Sequence, residues 1–198
     1  MVKISRFYIF FLVSIFISSP LITSEKKKVE VYFNNMKTLK SDFTQISMDG
    51  SVSYGKIFME RPNKFKIIFN PPQNELIISD GRKIALINKK IKTISLYGMD
   101  QIPFSFLLSK TFDDDNFKMS KIMSKNNILS FKISEPDSKK KIRLIFENRP
   151  FGLKKWEVTD EQGNLTQVSL NNLSINENIE KNTFVITDPR KIPFGRKE

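Results

Sequence analysis

The chain contains no cysteine and no histidine among its 198 residues. Those absences remove Ser-His-Asp triads, Cys-His pairs and any metal site built on imidazole or thiolate. They also leave no disulfide and no cysteine that could carry a lipid, so the apolar core alone must hold the fold. Glycine is sparse, at seven residues, and no phosphate-cradling loop appears among them. Acidic residues are outnumbered 33 to 21 by lysine and arginine. Their one cluster, Asp113-Asp114-Asp115, lacks the second set of ligands or the facing carboxylate that a calcium site or a hydrolase needs. It reads as a solvated turn or helix start. Neither an enzyme nor a cofactor or metal is expected.

The formal net charge is +12. Such a balance suits nucleic acid, an anionic membrane surface or an acidic protein. The cations, however, are spread along the polar sides of alternating segments. Only Lys26-Lys27-Lys28 and Lys139-Lys140-Lys141 form runs, and neither interleaves with the aromatics a single-strand binder stacks on. Solvated faces are the better reading, and no nucleic-acid partner is expected.

Lys3 and Arg6 precede an apolar run from Phe7 to Ile17, followed by Ser18, Ser19, Pro20, Thr23 and Ser24. This is the layout of a secretory signal, although Ile17 and Ile22 occupy places where small residues are preferred at cleavage. The run is short of the roughly 20 residues a membrane anchor needs. Residues 1–24 are expected to be a cleaved signal peptide and 25–198 a single exported domain. Removing two cations and no acid lowers the net charge from +12 to about +10.

The body reads as a helix followed by antiparallel strands. Val29, Phe33 and Met36 recur at helical spacing, which predicts an amphipathic helix over Lys26–Leu39. The period then changes to two. Strands are predicted at Asp42–Met48, Val52–Glu60, Lys64–Asn70, Glu75–Ser79, Lys83–Asn88, Lys92–Tyr97, Phe117–Met123, Ile128–Ser134, Lys141–Glu147, Lys154–Thr159 and Leu165–Asn171. Turn signals such as Asp80-Gly81 and Gln162-Gly163-Asn164 separate them. So many sequential hairpins predict one meandering sheet curled towards a barrel. Ile102-Pro103-Phe104-Ser105-Phe106-Leu107-Leu108 breaks the pattern. It is a short apolar helix, with Pro103 in its first turn, that is either a plug completing the core or a lid over an apolar cavity.

Arg61 is the most informative single residue. Pro62 holds it extended and Asn63 turns the chain. Counting back, Ile57 and Met59 share its side of one strand; counting on, Phe65, Ile67 and Phe69 line one face of the next. A guanidinium among such neighbours is costly unless acceptors are supplied, so Arg61 is expected to have a specified partner.

Taken in order, Ser41-Asp42-Phe43-Thr44-Gln45, Gly55, Arg61-Pro62-Asn63-Lys64-Phe65, Pro71-Pro72, Ser79-Asp80-Gly81, Pro103-Phe104 and Phe184-Val185-Ile186 before Pro189 resemble the LolA family. These are periplasmic carriers that take lipoproteins from the inner membrane to an outer-membrane receptor. The resemblance spans nearly all of the mature chain. It implies a mainly β fold: an unclosed antiparallel β-barrel, or half-barrel, with an N-terminal helix and short lid helices over a hydrophobic cavity. It implies that Arg61 is a lid latch, hydrogen-bonded to lid backbone in the closed state. The implied cavity residues are Phe43, Ile57, Met59, Phe65, Ile67, Phe69, Phe104, Phe106 and Leu107.

The implied partners are acylated lipoproteins, an inner-membrane lipoprotein release transporter, and an outer-membrane receptor or the outer membrane itself, with the carrier a monomer in the periplasm. Methionines, including Met48 and Met59, are expected to supply adaptable apolar lining. The chain departs from the family after Ser79-Asp80-Gly81, where Ile84, Ala85, Leu86 and Ile87 replace frequent aromatics. Two other readings stay open: a carrier of free lipid or glycolipid, and a lipoprotein-sensing envelope-stress regulator on the same half-barrel. The second commonly adds another domain, for which the sequence offers no candidate.

Overall fold

The computed structural model describes residues 20–191, apart from residues 103, 114, 136 and 137. Most of the expected signal peptide, residues 1–19, and Pro103 and Asp114 therefore lie outside the described residues. Helix α1 spans Pro20–Asn35, earlier than the predicted Lys26–Leu39. The reason is competition for backbone partners. The Lys37 N–H donates to Asn176 Oδ1 at 2.7 Å, and the Lys37 carbonyl accepts from Arg61 N–H at 2.9 Å. From Thr38 onward the sheet satisfies both sides of the chain, which a helix end cannot. Leu39 is buried all the same, now as a strand residue.

The strands are β1 Thr38–Ile46, β2 Val52–Glu60, β3 Lys64–Phe69, β4 Glu75–Asp80, β5 Ile84–Asn88, β6 Thr93–Tyr97, β7 Lys118–Lys125, β8 Ile128–Ser134, β9 Lys141–Asn148, β10 Phe151–Thr159 and β11 Leu165–Ile175. Each predicted strand is present, and β2 and β8 have the predicted bounds. All pairings are antiparallel, in the order β6-β5-β4-β3-β2-β1-β11-β10-β9-β8-β7. Two runs of hairpins are thus joined where β1 meets β11. The two edges, β6 and β7, follow one another in sequence yet do not pair, so the sheet stays open. The chain between them carries a single 3-10 turn at Met99–Gln101 and the short helix α2 at Ser105–Leu108.

Alternation decides which residues face the core. Ile57 and Met59 of β2, Phe65 and Ile67 of β3, Leu129, Phe131 and Ile133 of β8, and Ile142, Leu144 and Phe146 of β9 are all buried in one cluster with Val29 and Phe33 of α1. In β10 a register shift between Leu153 and Lys155 changes the parity, so Leu153 and Trp156 both point inward. The opposite face is mostly polar, with one exception. Ile78, Ala85 and Ile87 form a second small cluster there, against which Ile186 of the C-terminal segment packs. That cover explains why Ile84 and Ala85 are buried together although they point to opposite faces.

Gly55 shows how tightly β1, β2 and β3 are fitted. It pairs with Phe43 on one side and Phe69 on the other, and those two rings meet edge to face at 5.3 Å. A Cβ at position 55 would lie 2.1 Å from the Ile68 carbonyl oxygen and 2.7 Å from the Phe43 ring. The ring could rotate away, but the strand backbone cannot. Gly55→Ala is therefore expected to destabilise the fold by about 2–3 kcal/mol, the upper part of the overpacking range. Urea unfolding checks this, and a loss below about 0.5 kcal/mol would contradict the close approach.

Candidate functional site

The Arg61 side chain reaches across the end of the sheet to two other elements. Its Nε–H donates to the Ser109 carbonyl, just beyond α2, at 2.6 Å. Its Nη1 donates to the Phe33 carbonyl and, at 3.4 Å, to that of Met36. These last acceptors lie in and just after the C-terminal turn of α1, where the dipole is negative; the Phe33 carbonyl also accepts from Met36 N–H at 3.2 Å. The guanidinium thus gains the acceptors its half-buried position requires. Burial still pushes its pKa below the ordinary arginine value, and Nη2 is buried with no hydrogen-bond partner.

Asn63, at φ +66°, donates its backbone N–H to the Leu108 carbonyl at 3.1 Å. The Asn63 carbonyl accepts from the buried Ser79 hydroxyl at 2.8 Å, and Ser79 Oγ accepts from Gly81 N–H at 3.1 Å. Arg61-Pro62-Asn63 and Ser79-Asp80-Gly81, far apart in sequence, are therefore one hydrogen-bonded junction beneath α2. Further links hold the same segment. Asn34 of α1 donates from Nδ2 to the Phe112 carbonyl at 2.9 Å and accepts from Phe112 N–H at 2.8 Å. Ser105 donates to the Glu135 carboxylate. The Phe33 and Phe112 rings stack at 4.6 Å, and Phe112 stacks on Phe117 at 5.0 Å.

Beside this junction lies a cavity of about 520 Å³, within the usual size of small-molecule sites. Phe43, Ile57, Phe65, Ile67, Phe69 and Phe104 all border it. Met59, Phe106 and Leu107 do not; they are fully enclosed in the core. Around α2, Ile102 and Phe104 face the cavity, while Phe106, Leu107 and Leu108 fill the core. Met48 lines nothing, because β1 stops at Ile46 and Met48 is 67% exposed in the following turn.

The sequence reading missed the opposite wall, which is Trp156 and Val158 of β10 and Val168 of β11, and also Ile77, Ile84 and Leu86. Ile84 and Leu86 of β5 are among the aliphatic residues that stand where aromatics are frequent in the family the sequence resembles. At one end the lining turns polar, with Gln45, Lys140, Asp160, Asn164 and Thr166. There the side-chain amide of Asn164, helped by backbone amides of the same turn, holds the Asp160 carboxyl below the usual carboxylate range. Asp113 accepts from Asn116 N–H at 3.0 Å, and Asp115 and Asn116 lie in a turn. Among the described residues no group of histidine, cysteine or carboxylate side chains could hold a metal.

Residues 34–187 match the family model for the outer membrane lipoprotein carrier protein LolA. The uncharacterised protein RP864 of Rickettsia prowazekii is 21% identical over 159 residues, covering 80% of this chain and 74% of that one. The outer-membrane lipoprotein carrier protein of Francisella tularensis subsp. novicida is 28% identical over 171 residues, covering 79% of this chain and 80% of the relative. Among solved structures, MucB superposes with a TM-score of 0.51 at 10% identity, over 86% of this chain and 64% of MucB. That likeness concerns the fold alone.

Replacing Asn34 tests whether the segment after α2 is held locally. Asn34→Ala removes two hydrogen bonds of about 1 kcal/mol each. Amide exchange at Leu107, Ser109 and Phe112 is expected to accelerate about 30-fold, with the amides of β1, β2 and β11 unchanged. Unaltered exchange at Phe112 would show that stacking on Phe33, and not the amide pair, fixes this segment.

Proposed function

The chain belongs to the LolA family of outer membrane lipoprotein carrier proteins, and on that footing we propose that it is a periplasmic carrier holding the acyl chains of lipoproteins in the cavity beside α2. It receives them from an inner-membrane release transporter and delivers them to the outer membrane or to a receptor there. It binds and releases, with no covalent step. The observation that carries this reading is a sizeable apolar space bounded by a segment that polar contacts pin down. Aromatic and aliphatic walls suit acyl chains, for which each buried methylene contributes roughly 0.8 kcal/mol.

Release requires that closure be weak. In this account Arg61 is the latch: it ties the backbone after α2 to the end of α1 through three carbonyls. Each bond contributes about 1 kcal/mol net, and the unpartnered Nη2 offsets part of that. A closed state favoured by so little opens when a ligand or a partner competes. The enclosed residues Met59, Phe106 and Leu107 are core, and the cavity residues are Phe43, Ile57, Phe65, Ile67, Phe69 and Phe104 with the β10–β11 wall.

Trp156, the single tryptophan of the chain, borders the cavity and reports on its contents. A peptide bearing brominated acyl chains should quench its fluorescence saturably at near-unit stoichiometry, and the same peptide without acyl chains should not. Absence of saturable quenching would remove the cavity from the account. In cells, depletion should strand outer-membrane lipoproteins at the inner membrane. Correctly placed lipoproteins with loss of another lipid class would make the protein a carrier of free lipid instead.

A further inference from the structure

The β1–β2, β3–β4 and β5–β6 turns lie at one end of the sheet, away from Arg61, because alternate hairpins of a meander turn at the same end. The cavity reaches this end, since Gln45 next to the β1–β2 turn and Asp160 and Asn164 in the β10–β11 turn border it. Two of the turns at this end carry apolar residues at their tips. Ile91 is 65% exposed between β5 and β6, and Met48 is exposed between β1 and β2. Beneath Met48, Ile46 and Val52 face each other across the hairpin and are also exposed.

Charge gathers at one of these tips. From Asn88 to Met99 the sequence has three cations and no acid, and these three, Lys89, Lys90 and Lys92, surround Ile91. Glu75 stands beside this tip, opposite Asn88, and three other acids of this end are held within their own turns or by Lys139. Asp49 accepts from Ser51 N–H, Asp160 from Gln162 and Asn164 N–H, and Glu161 lies 3.6 Å from Lys139. Ile91 and Met48 stand on separate turns, each well exposed. A protein partner would need a complementary pocket for each, whereas a fluid apolar phase receives both without one.

We propose that this end of the sheet seats on an anionic phospholipid surface, with Ile91 and Met48 entering the interface and Lys89, Lys90 and Lys92 lying among the headgroups. The proposal rests on the carrier reading, to which it adds the surface that receives or supplies the cargo. Seated this way, the cavity opens towards the bilayer while the Arg61 junction stays in water, free to move. An acyl chain then passes between bilayer and cavity across the polar rim formed by Gln45, Asp160 and Asn164. This also gives a use to the positive charge of the β5–β6 hairpin, which the cavity itself does not need.

Flotation of the purified protein with vesicles tests this. Vesicles of mixed phosphatidylcholine and phosphatidylglycerol should bind it, more weakly as salt is raised, and pure phosphatidylcholine vesicles should not. Joint replacement Lys89→Gln, Lys90→Gln and Lys92→Gln should weaken binding on the order of 100-fold, at roughly fivefold per lysine near such a surface. Ile91→Ser should weaken it about tenfold. Both variants should keep the Trp156 quenching by acylated peptide, which shows that they fold and that the cavity works. Equal binding to both vesicle types, binding unchanged in both variants, or dimers of the protein in place of vesicle association would each overturn the proposal. Loss of quenching in the unmodified protein, with lipid-dependent flotation intact, would instead count against the cavity and leave the docking surface standing.

Discussion

A guanidinium set at the end of a strand among apolar side chains must find oxygen acceptors, and the way Arg61 finds them organises one end of this molecule. Its acceptors are main-chain carbonyls from α1 and from the residue after α2. Because carbonyls left over at a helix end also need a donor, each side satisfies the other. The contact thereby fixes where α1 stops and where α2 crosses the sheet. Ser79 and Asn63 support the same place from below, so that three separate segments converge on a single polar junction above an apolar core. Replacing such a junction with apolar groups often leaves stability unchanged, which makes position and movement its more natural role.

The second constraint is the failure of β6 and β7 to pair. They are neighbours in sequence and would close a barrel if joined directly, but the intervening chain carries an apolar stretch that must be buried. It passes over the concave face, with Phe106, Leu107 and Leu108 in the core and Ile102 and Phe104 turned to the cavity. The same stretch therefore keeps the sheet open and covers the space this leaves. Fold and proposed function have one origin here, in seven residues whose composition suits neither a strand nor a loop.

Much of this was legible in the sequence, and the reasons are local. Alternation such as Leu129, Phe131 and Ile133 marks a strand with one buried face whatever surrounds it, and Asn63 and Gly81 mark turns that need a positive φ. The Arg61 parity argument worked because a charged residue on an apolar face is unusual enough to need a partner. What alternation cannot tell is whether an inward residue borders empty space or another side chain. Met59 and Ile57 have the same parity, yet only Ile57 borders the cavity, and Trp156 entered the wall through a register shift that no spacing announced. Asn34 was invisible for a different reason: its partner Phe112 is 78 residues away, and a backbone amide leaves no trace in the sequence. Met48 was misplaced because the end of β1 is set by its pairing with β2 and β11, which stops at Ile46.

The central claim is that Arg61 governs closure, and transfer of a labelled lipoprotein from the purified protein to outer-membrane vesicles, measured for Arg61→Leu beside a thermal melt, tests it most directly. Leucine keeps the packing of the stem and removes the hydrogen bonds that favour the closed, empty state. Loss of roughly 2–3 kcal/mol shifts the open–closed balance by a factor of about 30 to 150. The account predicts a folded variant that accepts acylated cargo and hands it on poorly, with Arg61→Lys intermediate because an ammonium lacks the planar fork of donors. Normal transfer by folded Arg61→Leu would contradict it and leave Arg61 a structural residue.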